Sequence, residues 1–261
     1  MKIINFLNKY ILRRDFYYKV KEKLSLFYRN NFKDPFYDQK KLLSNTNNIT
    51  IFDVGSHFGD TVKKYRFTFP KSKIFAFEPT PKSYKKLIKK FKNDDNVIVS
   101  SSGLSNKKSM TTLYLSDSEN LNSFKKPNQR AWGFDKKETI LVQTDTLDNI
   151  CAINNINNID ILKIDVQGNE LEVLHGGCSL LSDCKIGLIF VEWQVVPLYQ
   201  KHYRHFEISQ FLNEYGYDLF NIYNINEARS GQLRWGDSIF INQKIKNNLI
   251  LKYGKGQGSG W

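Results

Sequence analysis

An acid and two glycines follow a short apolar run in the segment IFDVGSHFGDT, which covers residues 51–61. Glycine has no side chain, so Gly55 and Gly59 allow a ligand to approach the backbone and the amino terminus of the following helix. A tight turn without a ligand explains the same pair. The full G-x-G-x-x-G pattern of dinucleotide-binding folds is absent, because position 57 is a histidine.

A second acid ends the next apolar run, IFAFEP, where Glu78 lies 25 positions beyond Asp53. A carboxylate at the end of a second strand accepts hydrogen bonds from both hydroxyls of a ribose. The alternative is a surface acid at the start of the following helix, where acids are favoured. Taken together, Asp53, the glycine turn and Glu78 favour an adenosine ligand without a pyrophosphate, and S-adenosylmethionine is such a ligand.

A lysine and an acid share one face of the apolar run IDILKID, because side chains alternate along a strand and Lys163 and Asp165 are two positions apart. An isolated buried ammonium is strongly disfavoured, so Lys163 must be paired or have a lowered pKa. The expected partners are Asp165 and, at the end of the next apolar run, Glu192. The alternative is a structural ion pair that supports the loop DVQGNE.

The elements that position these residues are short apolar strands that alternate with polar helices from residue 49 onward. This pattern predicts a parallel sheet covered on both faces, which binds ligands beyond the carboxyl ends of its strands. Such strands are predicted over 49–54, 73–78, 96–100, 159–165 and 186–192, and helices near 60–69, 81–91, 169–181 and 206–215. Further strands are predicted at 110–116 and 138–145, and a final antiparallel pair at 217–223 and 235–242.

The segments IFDVGSHFGDTV, FAFEPTPKSYKKL, DTLDN and IDILKIDVQGNELEVLHGG follow one another in an order that resembles the FkbM-type family of S-adenosylmethionine-dependent methyltransferases. The resemblance runs from about residue 34 to about residue 242. It implies an α/β, Rossmann-like class I methyltransferase fold, with a mostly parallel seven-stranded sheet, helices on both faces and an antiparallel last strand. It also implies O-methylation, commonly of sugar hydroxyls in glycans or natural products.

Carried over by position, the resemblance implies a binding site for S-adenosyl-L-methionine at the ends of several strands. The residues implied to flank its methionine part are Asp53, Gly55, Ser56, His57, Gly59 and Thr61. Glu78 and the adjacent Pro79 are implied to bind the ribose, and Ser102 and Gly103 to lie near the adenine. Asp165 is expected to contact the cofactor as well.

Methyl transfer from a sulfonium is an in-line displacement, and a base that removes the proton of a sugar hydroxyl assists it. Asp165 is the first candidate for that base, Glu192 the second and His57 the third, with Lys163 as their charged neighbour in the catalytic group. His57 can instead hydrogen-bond the backbone or the carboxylate of the cofactor. An alternative that is not favoured is metal assistance, in which Asp165 and Glu192 hold a divalent cation.

Acceptor specificity is expected from three additions to the sheet that are rich in Tyr, Trp, Arg, His and Asn. These additions are LNSFKKPNQRAWGF at 121–134, VVPLYQKHYRHF at 195–206 and SGQLRWGDSIF at 230–240. The candidate contacts with a sugar are Tyr199, His202, Arg204, Trp235 and Asp237.

Positive charge is concentrated at the two ends of the chain. Residues 1–48 carry 11 basic and 4 acidic side chains, residues 243–261 carry 4 basic and no acidic ones, and residues 49–242 carry 24 and 22. We therefore predict a basic helical extension at 1–48, a methyltransferase domain at 49–242 and a basic flexible tail at 243–261, and we expect no nucleic-acid partner. Apolar residues at helical spacing between Ile4 and Phe27 predict amphipathic helices that pack on the domain, form a homodimer contact or lie on an anionic membrane.

The chain has three cysteines without C-x-x-C spacing, no apolar run of the ~18 residues that cross a bilayer, and no secretory signal. A cytoplasmic or membrane-peripheral location is expected. The expected function is an O-methyltransferase that acts on a sugar or glycan acceptor, free, nucleotide-linked or lipid-linked. A catalytically weak cofactor-binding module that serves as a membrane or assembly scaffold is the alternative. A nicotinamide-dependent oxidoreductase is more distant, because the three-glycine fingerprint is missing.

Overall fold

The computed structural model describes residues 34–43, 48–129, 131, 133–134, 138–196 and 198–254. The amphipathic helices predicted between Ile4 and Phe27, and the residues from 255 onward, lie outside these ranges. None of the described helices is both long and apolar enough to span a bilayer.

The described residues form ten strands in two sheets. In chain order the strands are β1 (Thr50–Val54), β2 (Lys73–Phe77), β3 (Val97–Ser100), β4 (Gly103–Leu104), β5 (Ser109–Tyr114), β6 (Thr139–Asp145), β7 (Ile159–Ile164), β8 (Ile186–Gln194), β9 (Asp218–Glu227) and β10 (Leu233–Ile241). The main sheet has the order β3-β2-β1-β7-β8-β10-β9, in which β10 alone runs antiparallel to its neighbours. The predicted seven-stranded sheet with a reversed last strand is confirmed. The second sheet, β4-β6-β5, lies in the excursion between β3 and β7.

The same residues form eight α-helices. They are α1 (Pro35–Leu42), α2 (Asp60–Thr68), α3 (Pro81–Phe91), α4 (Leu147–Ile153), α5 (Glu170–His175), α6 (Cys178–Ser182), α7 (His205–Glu214) and α8 (Gln243–Tyr253). A short 3-10 helix, Glu119–Leu121, lies in the excursion.

Apolar side chains cover both faces of the main sheet, because successive residues of a strand point to opposite sides. On β1, Phe52 joins the layer that packs against α4, α5, α6 and α7. Its neighbour Ile51 joins the opposite layer, which includes Val62 of α2 and Leu87 of α3. Helices therefore cover both faces, as predicted, and only the strand ends are left for a ligand.

The single helix predicted over 169–181 is wrong, because α5 and α6 are separated by Gly176 and Gly177. A Cβ on Gly176 would lie 2.2 Å from the carbonyl oxygen of Ser105, so a side chain does not fit between α5 and the loop after β4. Two adjacent glycines also weaken a helix interior.

Two structured helices lie outside the predicted domain limits of 49–242. Phe36 of α1, which was assigned to the extension, packs edge-on against Tyr65 with ring centroids 5.1 Å apart. The flexible tail predicted from residue 243 is wrong as far as Tyr253, because α8 occupies that segment. The Asn242 side chain accepts a hydrogen bond from the Ile245 backbone N–H at 3.0 Å and so caps α8, whose Ile245 is buried.

Candidate active site

A cavity of about 210 Å³ lies at the carboxyl ends of β1, β2 and β7. Nine of the predicted site residues line it: Gly55, Ser56, His57, Thr61, Glu78, Pro79, Gly103, Lys163 and Asp165. They come from separate segments of the chain that the parallel strand order brings to one edge of the sheet. Ser102 is not part of this lining.

Gly55 and Gly59 have positive φ angles of 80° and 76°, yet protein atoms occupy the space that their side chains would take. A Cβ on Gly55 would lie 1.9 Å from the carbonyl oxygen of Asp165. A Cβ on Gly59 would lie 2.5 Å from side-chain atoms of Leu87 and Phe91. Gly59 lies outside the cavity lining and packs against α3, and its expected role in ligand approach stays a prediction.

Replacing Gly55 with alanine is expected to destabilise the fold, because the methyl group meets backbone at a left-handed position. Gly216 is a matched control, since its φ is 76° and nothing lies within 4 Å of its Cβ position. Gly216→Ala should cost only the backbone term of about 1–2 kcal/mol, and Gly55→Ala a further ~1–3 kcal/mol for overpacking. Urea unfolding measures both losses, and equal losses would contradict the packing explanation.

The Glu78 carboxylate joins the turn after β1 to the turn after β2. Its Oε2 accepts a hydrogen bond from the His57 backbone N–H at 2.9 Å, and its Oε1 accepts one from the Thr80 backbone N–H at 2.8 Å. Burial raises the pKa of the Glu78 carboxyl, although these hydrogen bonds act in the opposite direction. Each carboxylate oxygen accepts more than one hydrogen bond, so Glu78 retains acceptor capacity for a ligand diol.

His57 lies in the glycine turn with a φ of 45°, and its ring stacks on Phe58 with centroids 3.7 Å apart. Burial lowers the pKa of its imidazole, so the neutral form prevails at pH 7. Its Nε2 is buried and has no hydrogen-bond partner in the described part of the chain. A neutral imidazole can accept a proton or bind a ligand, and both predicted roles of His57 stay open.

Lys163 is a buried cation that pairs with two carboxylates, as predicted, but one of them is an unpredicted partner. Its Nζ lies 3.1 Å from Asp53 Oδ1 and 3.6 Å from Asp165 Oδ2, and it donates to the Gly55 carbonyl oxygen at 2.9 Å. Burial by itself lowers the pKa of Lys163, but the charges of Asp53 and Asp165 outweigh it and hold the pKa above its ordinary value. Glu192, the other predicted partner, forms no ion pair with Lys163.

Asp53 is fully buried and does not line the cavity, so its predicted contact with the methionine part of a cofactor is wrong. Instead it lies beside Lys163 on the neighbouring strand, in the β1–β7 register. Burial raises the pKa of its carboxyl, and Lys163 acts in the opposite direction. The pairing of these two strands was not predicted from the sequence, so Asp53 was not identified as the partner of Lys163.

The two main candidates for the general base differ in exposure. Asp165 has 36% of its side chain exposed and lines the cavity, whereas Glu192 lies outside the lining. Burial, followed by the charges of Asp165 and Asp237, raises the pKa of Glu192 well above its ordinary value. Asp165 lines the cavity and Glu192 does not, so the geometry ranks Asp165 first as the base.

Metal assistance stays a prediction for the pair Asp165 and Glu192. Across the ranges that the structure describes, no group of three or more His, Cys, Asp or Glu side chains is arranged to hold a metal ion.

Six residues of the excursion that follow β4 also line the cavity; the first three were not predicted, and the last three belong to the predicted acceptor segment 121–134. These lining residues are Leu113, Glu119, Asn120, Asn122, Ser123 and Phe124. Asn122 Nδ2 donates to Thr80 Oγ1 at 3.1 Å, and Ser123 Oγ donates to the Gln167 carbonyl oxygen at 2.6 Å. Hydrogen bonds thus hold the excursion over the turns that follow β2 and β7.

Other unpredicted lining residues lie next to predicted ones. They are Val54, Phe58, Asp60, Phe77, Thr80, Leu104, Val166 and Gln167. The sequence could have indicated these residues, because they are close in the chain to the glycine turn, Glu78, Gly103 and Asp165.

None of the five predicted acceptor contacts is among the residues that line the cavity. Tyr199 is 1% exposed, and its hydroxyl donates to the Leu121 carbonyl oxygen at 2.9 Å, so its predicted contact with a sugar is wrong. It packs with Leu121 and Phe134 in a small apolar cluster. His202 Nδ1 lies 3.2 Å from the Tyr199 carbonyl oxygen, and Arg204 is exposed at the start of α7.

Two other predicted acceptor residues lie on β10, at the same edge of the sheet as Asp165. The Arg234 guanidinium lies 4.3 Å from the ring centroid of Trp235. Asp237 accepts a hydrogen bond from Asn224 Nδ2 at 2.5 Å, and burial raises the pKa of Asp237 to about 6. Their contact with an acceptor stays a prediction.

Backbone hydrogen bonds join two of the predicted acceptor segments. The Asn128 backbone N–H donates to the Leu198 carbonyl oxygen at 2.9 Å, and the Gln200 N–H donates to the Lys126 carbonyl oxygen at 2.8 Å. The segments 121–134 and 195–206 therefore form one surface next to the cavity, although the expected individual contacts differ.

Comparison with known proteins identifies a protein family and a relative whose sequences match the part of the chain that carries this site. The family model described as Methyltransferase FkbM domain matches residues 53–219, which include the glycine turn, Glu78 and Asp165. The 2-O-methyltransferase NoeI of Sinorhizobium fredii (strain NBRC 101917 / NGR234) is 25% identical over 162 residues. The match covers 58% of this chain and 65% of NoeI, slightly less than two thirds of that relative.

Solved structures with a similar chain course include several methyltransferases. Precorrin-6y C5,15-methyltransferase from Geobacter metallireducens is 12% identical with a TM-score of 0.45, over 80% of this chain and 87% of that one. Fibrillarin from Aeropyrum pernix, solved with S-adenosyl-L-methionine, is 10% identical with a TM-score of 0.42, over 74% and 66% of the two chains.

Proposed function

Because the chain belongs to the FkbM family of methyltransferases, we propose that it transfers the methyl group of S-adenosylmethionine to a hydroxyl group of a sugar or glycan acceptor. The observation that carries this proposal is a single cavity lined by Glu78 and Asp165, from the ends of β2 and β7. Glu78 is suited to bind a ribose, and Asp165 is suited to receive the proton of an acceptor hydroxyl. The name of NoeI, a 2-O-methyltransferase, supports oxygen as the methylated atom.

The cavity lining is chemically suited to S-adenosylmethionine. Ser56, His57 and Thr61 are the polar residues of the lining next to the glycine turn that are available to an amino-acid moiety. Glu78 offers a carboxylate to a ribose, and Leu113 and Phe124 offer apolar surface to an adenine. When bound, the cofactor supplies a methyl group on a positively charged sulfur.

In this mechanism Asp165 takes the hydroxyl proton while the new carbon–oxygen bond forms. Lys163, with its Nζ 3.6 Å from Asp165 Oδ2, pairs with the carboxylate that receives the proton. Phe124 and the other residues of the excursion cover the cavity and exclude water from the reacting groups.

The proposal is tested in two steps. Titration calorimetry of the full chain with S-adenosylmethionine measures cofactor binding, and absence of binding would overturn the cofactor assignment. Incubation with S-adenosylmethionine labelled in its methyl group, together with glycans, nucleotide-linked sugars and lipid-linked sugars from the source cell, identifies the acceptor. Label in a fraction without sugars, and in none of the sugar fractions, would overturn the acceptor class.

Replacing Glu78 with glutamine is expected to weaken S-adenosylmethionine binding about tenfold to a hundredfold, the range for a lost charge-assisted hydrogen bond. The neutral amide binds a ribose diol less strongly, and its NH2 group would face the backbone N–H of His57 or Thr80. Calorimetry measures the dissociation constant. Glu214→Gln, on the exposed face of α7, is the control and should bind as the wild type does. Unchanged affinity in Glu78→Gln would remove Glu78 from the cofactor site.

A further inference from the structure

Gln167 holds a strained backbone position in the loop after β7. Its φ is 56°, in the left-handed region that side chains disfavour. Glu170 Oε1 accepts hydrogen bonds from the backbone N–H groups of Val166 at 3.2 Å and Gly168 at 3.0 Å, and Ser123 binds the Gln167 carbonyl oxygen. Strain that neighbouring contacts maintain at a candidate active site points to a role for the residue that bears it.

The Gln167 side-chain amide bridges the two main candidates for the general base. Its Nε2 donates to Asp165 Oδ1 at 2.9 Å and to Glu192 Oε2 at 2.7 Å. Its Oε1 accepts a hydrogen bond from Gln194 Nε2 at 3.0 Å, and the Tyr199 hydroxyl lies 3.3 Å from the same oxygen. The reverse orientation would turn the amide oxygen toward two carboxylates, so the surrounding groups fix which way the amide faces.

Asp165 and Glu192 also face a set of ionisable groups from the surrounding elements. These groups are Asp53, His57, Lys163, Glu170, Tyr199 and Asp237. Lys163 is the cation in this set, and its Nζ is closer to Asp53, at 3.1 Å, than to Asp165, at 3.6 Å. Two carboxyl groups at close range repel each other when both are ionised. A donor that binds an oxygen of each reduces that repulsion and holds the Asp165 carboxylate in one orientation.

We infer that Gln167 is a positioning residue whose amide, by donating to both Asp165 and Glu192, orients the Asp165 carboxylate toward the acceptor hydroxyl. The inference rests on the proposed function of Asp165 as the base. Through Ser123 and Tyr199, the same residue connects Asp165 to the two segments, 121–134 and 195–206, that form the surface next to the cavity.

Gln167→Asn tests the inference, because asparagine tolerates a left-handed backbone but is one methylene too short to reach both carboxylates. We expect kcat to fall about tenfold to a hundredfold, the scale of a misplaced catalytic group, measured with the sugar that takes the label from S-adenosylmethionine. Calorimetry should show an unchanged dissociation constant for S-adenosylmethionine. Gln243→Asn is the matched control, since Gln243 is exposed on α8 and its Nε2 donates to Asn247 Oδ1 at 3.0 Å.

A double-mutant cycle separates positioning from a structural effect. In an Asp165→Asn background, Gln167→Asn should lower kcat no further, because the amide acts through that carboxylate. An equal loss of kcat in both backgrounds, or weaker cofactor binding that accounts for the whole loss, would overturn the inference.

A second double-mutant cycle measures stability instead of catalysis, so it requires no acceptor substrate. In urea unfolding of the unliganded protein, Gln167→Asn should destabilise the wild type and the Glu192→Gln variant by different amounts, because the amide binds the Glu192 carboxylate. Additive losses would overturn the inference even if the enzyme methylates a sugar. Coupled losses in a protein that methylates no sugar would leave the hydrogen-bond network intact and overturn the proposed function instead.

Discussion

Replacing Asp165 with asparagine is expected to lower kcat by about 100- to 10,000-fold, the contribution of a positioned general base. Asparagine has nearly the same size, but its amide cannot take the proton of an acceptor hydroxyl. Lys163 keeps Asp53 as a partner at 3.1 Å, so the fold should survive the substitution. Single-turnover rates with labelled S-adenosylmethionine measure the loss of activity, and calorimetry should show that the cofactor still binds.

Two further variants test whether Asp165 itself is the base. Asp183→Asn is the matched control, because Asp183 is exposed and pairs with Lys185 at 2.8 Å on the surface; its kcat should equal that of the wild type. Glu192→Gln should lose less activity than Asp165→Asn, because Glu192 lies outside the cavity lining and Asp165 is part of it. A larger loss in Glu192→Gln would make Glu192 the base.

Replacing Lys163 with methionine is expected to cost about 3–5 kcal/mol of unfolding free energy, the typical loss when one partner of a buried ion pair is removed. Methionine fills a similar space but leaves the fully buried Asp53 without its cation. The double variant Lys163→Met with Asp53→Asn should regain much of that loss, because no buried charge is then unpaired. Urea unfolding of the single and double variants measures the difference.

The surface pair formed by Lys185 and Asp183 is the control for this experiment. Both side chains are about half exposed, so Lys185→Met should change the unfolding free energy by about 1 kcal/mol or less. If the double variant at positions 163 and 53 were no more stable than Lys163→Met alone, the ion pair would not explain the loss.

The strand and helix order was predictable from the sequence, because the apolar runs of β1, β2, β7 and β8 are long enough to be buried on both faces. Helix limits were less predictable where distant contacts decide them. Gly176 ends α5 against Ser105, which is far away in the chain. The segment of α8 was taken as a tail because of its charge, although Ile245 is buried in the apolar layer of the sheet.

The part of the site that follows directly from strand ends was also predictable. Glu78 and Asp165 line one cavity because the parallel strands β2 and β7 end at the same edge of the sheet, on either side of β1. The contribution of the excursion to the lining was not predictable residue by residue. Whether Asn122 and Phe124 reach the cavity depends on how the excursion folds back over the sheet. Tyr199 was taken as a sugar contact because it lies in a polar segment, yet long-range packing with Leu121 and Phe134 buries it.

The crowding around Gly55 and Gly59 affects how relatives of this protein should be classified. A Cβ on Gly55 would meet backbone atoms of Asp165, so a descendant that had lost all catalysis would still need this glycine for stability. An intact glycine turn therefore cannot distinguish a working transferase from an inactive pseudoenzyme retained as a scaffold. The residues that make this distinction are Glu78, Asp165 and Gln167, because the first is proposed to bind the cofactor and the other two to serve proton removal.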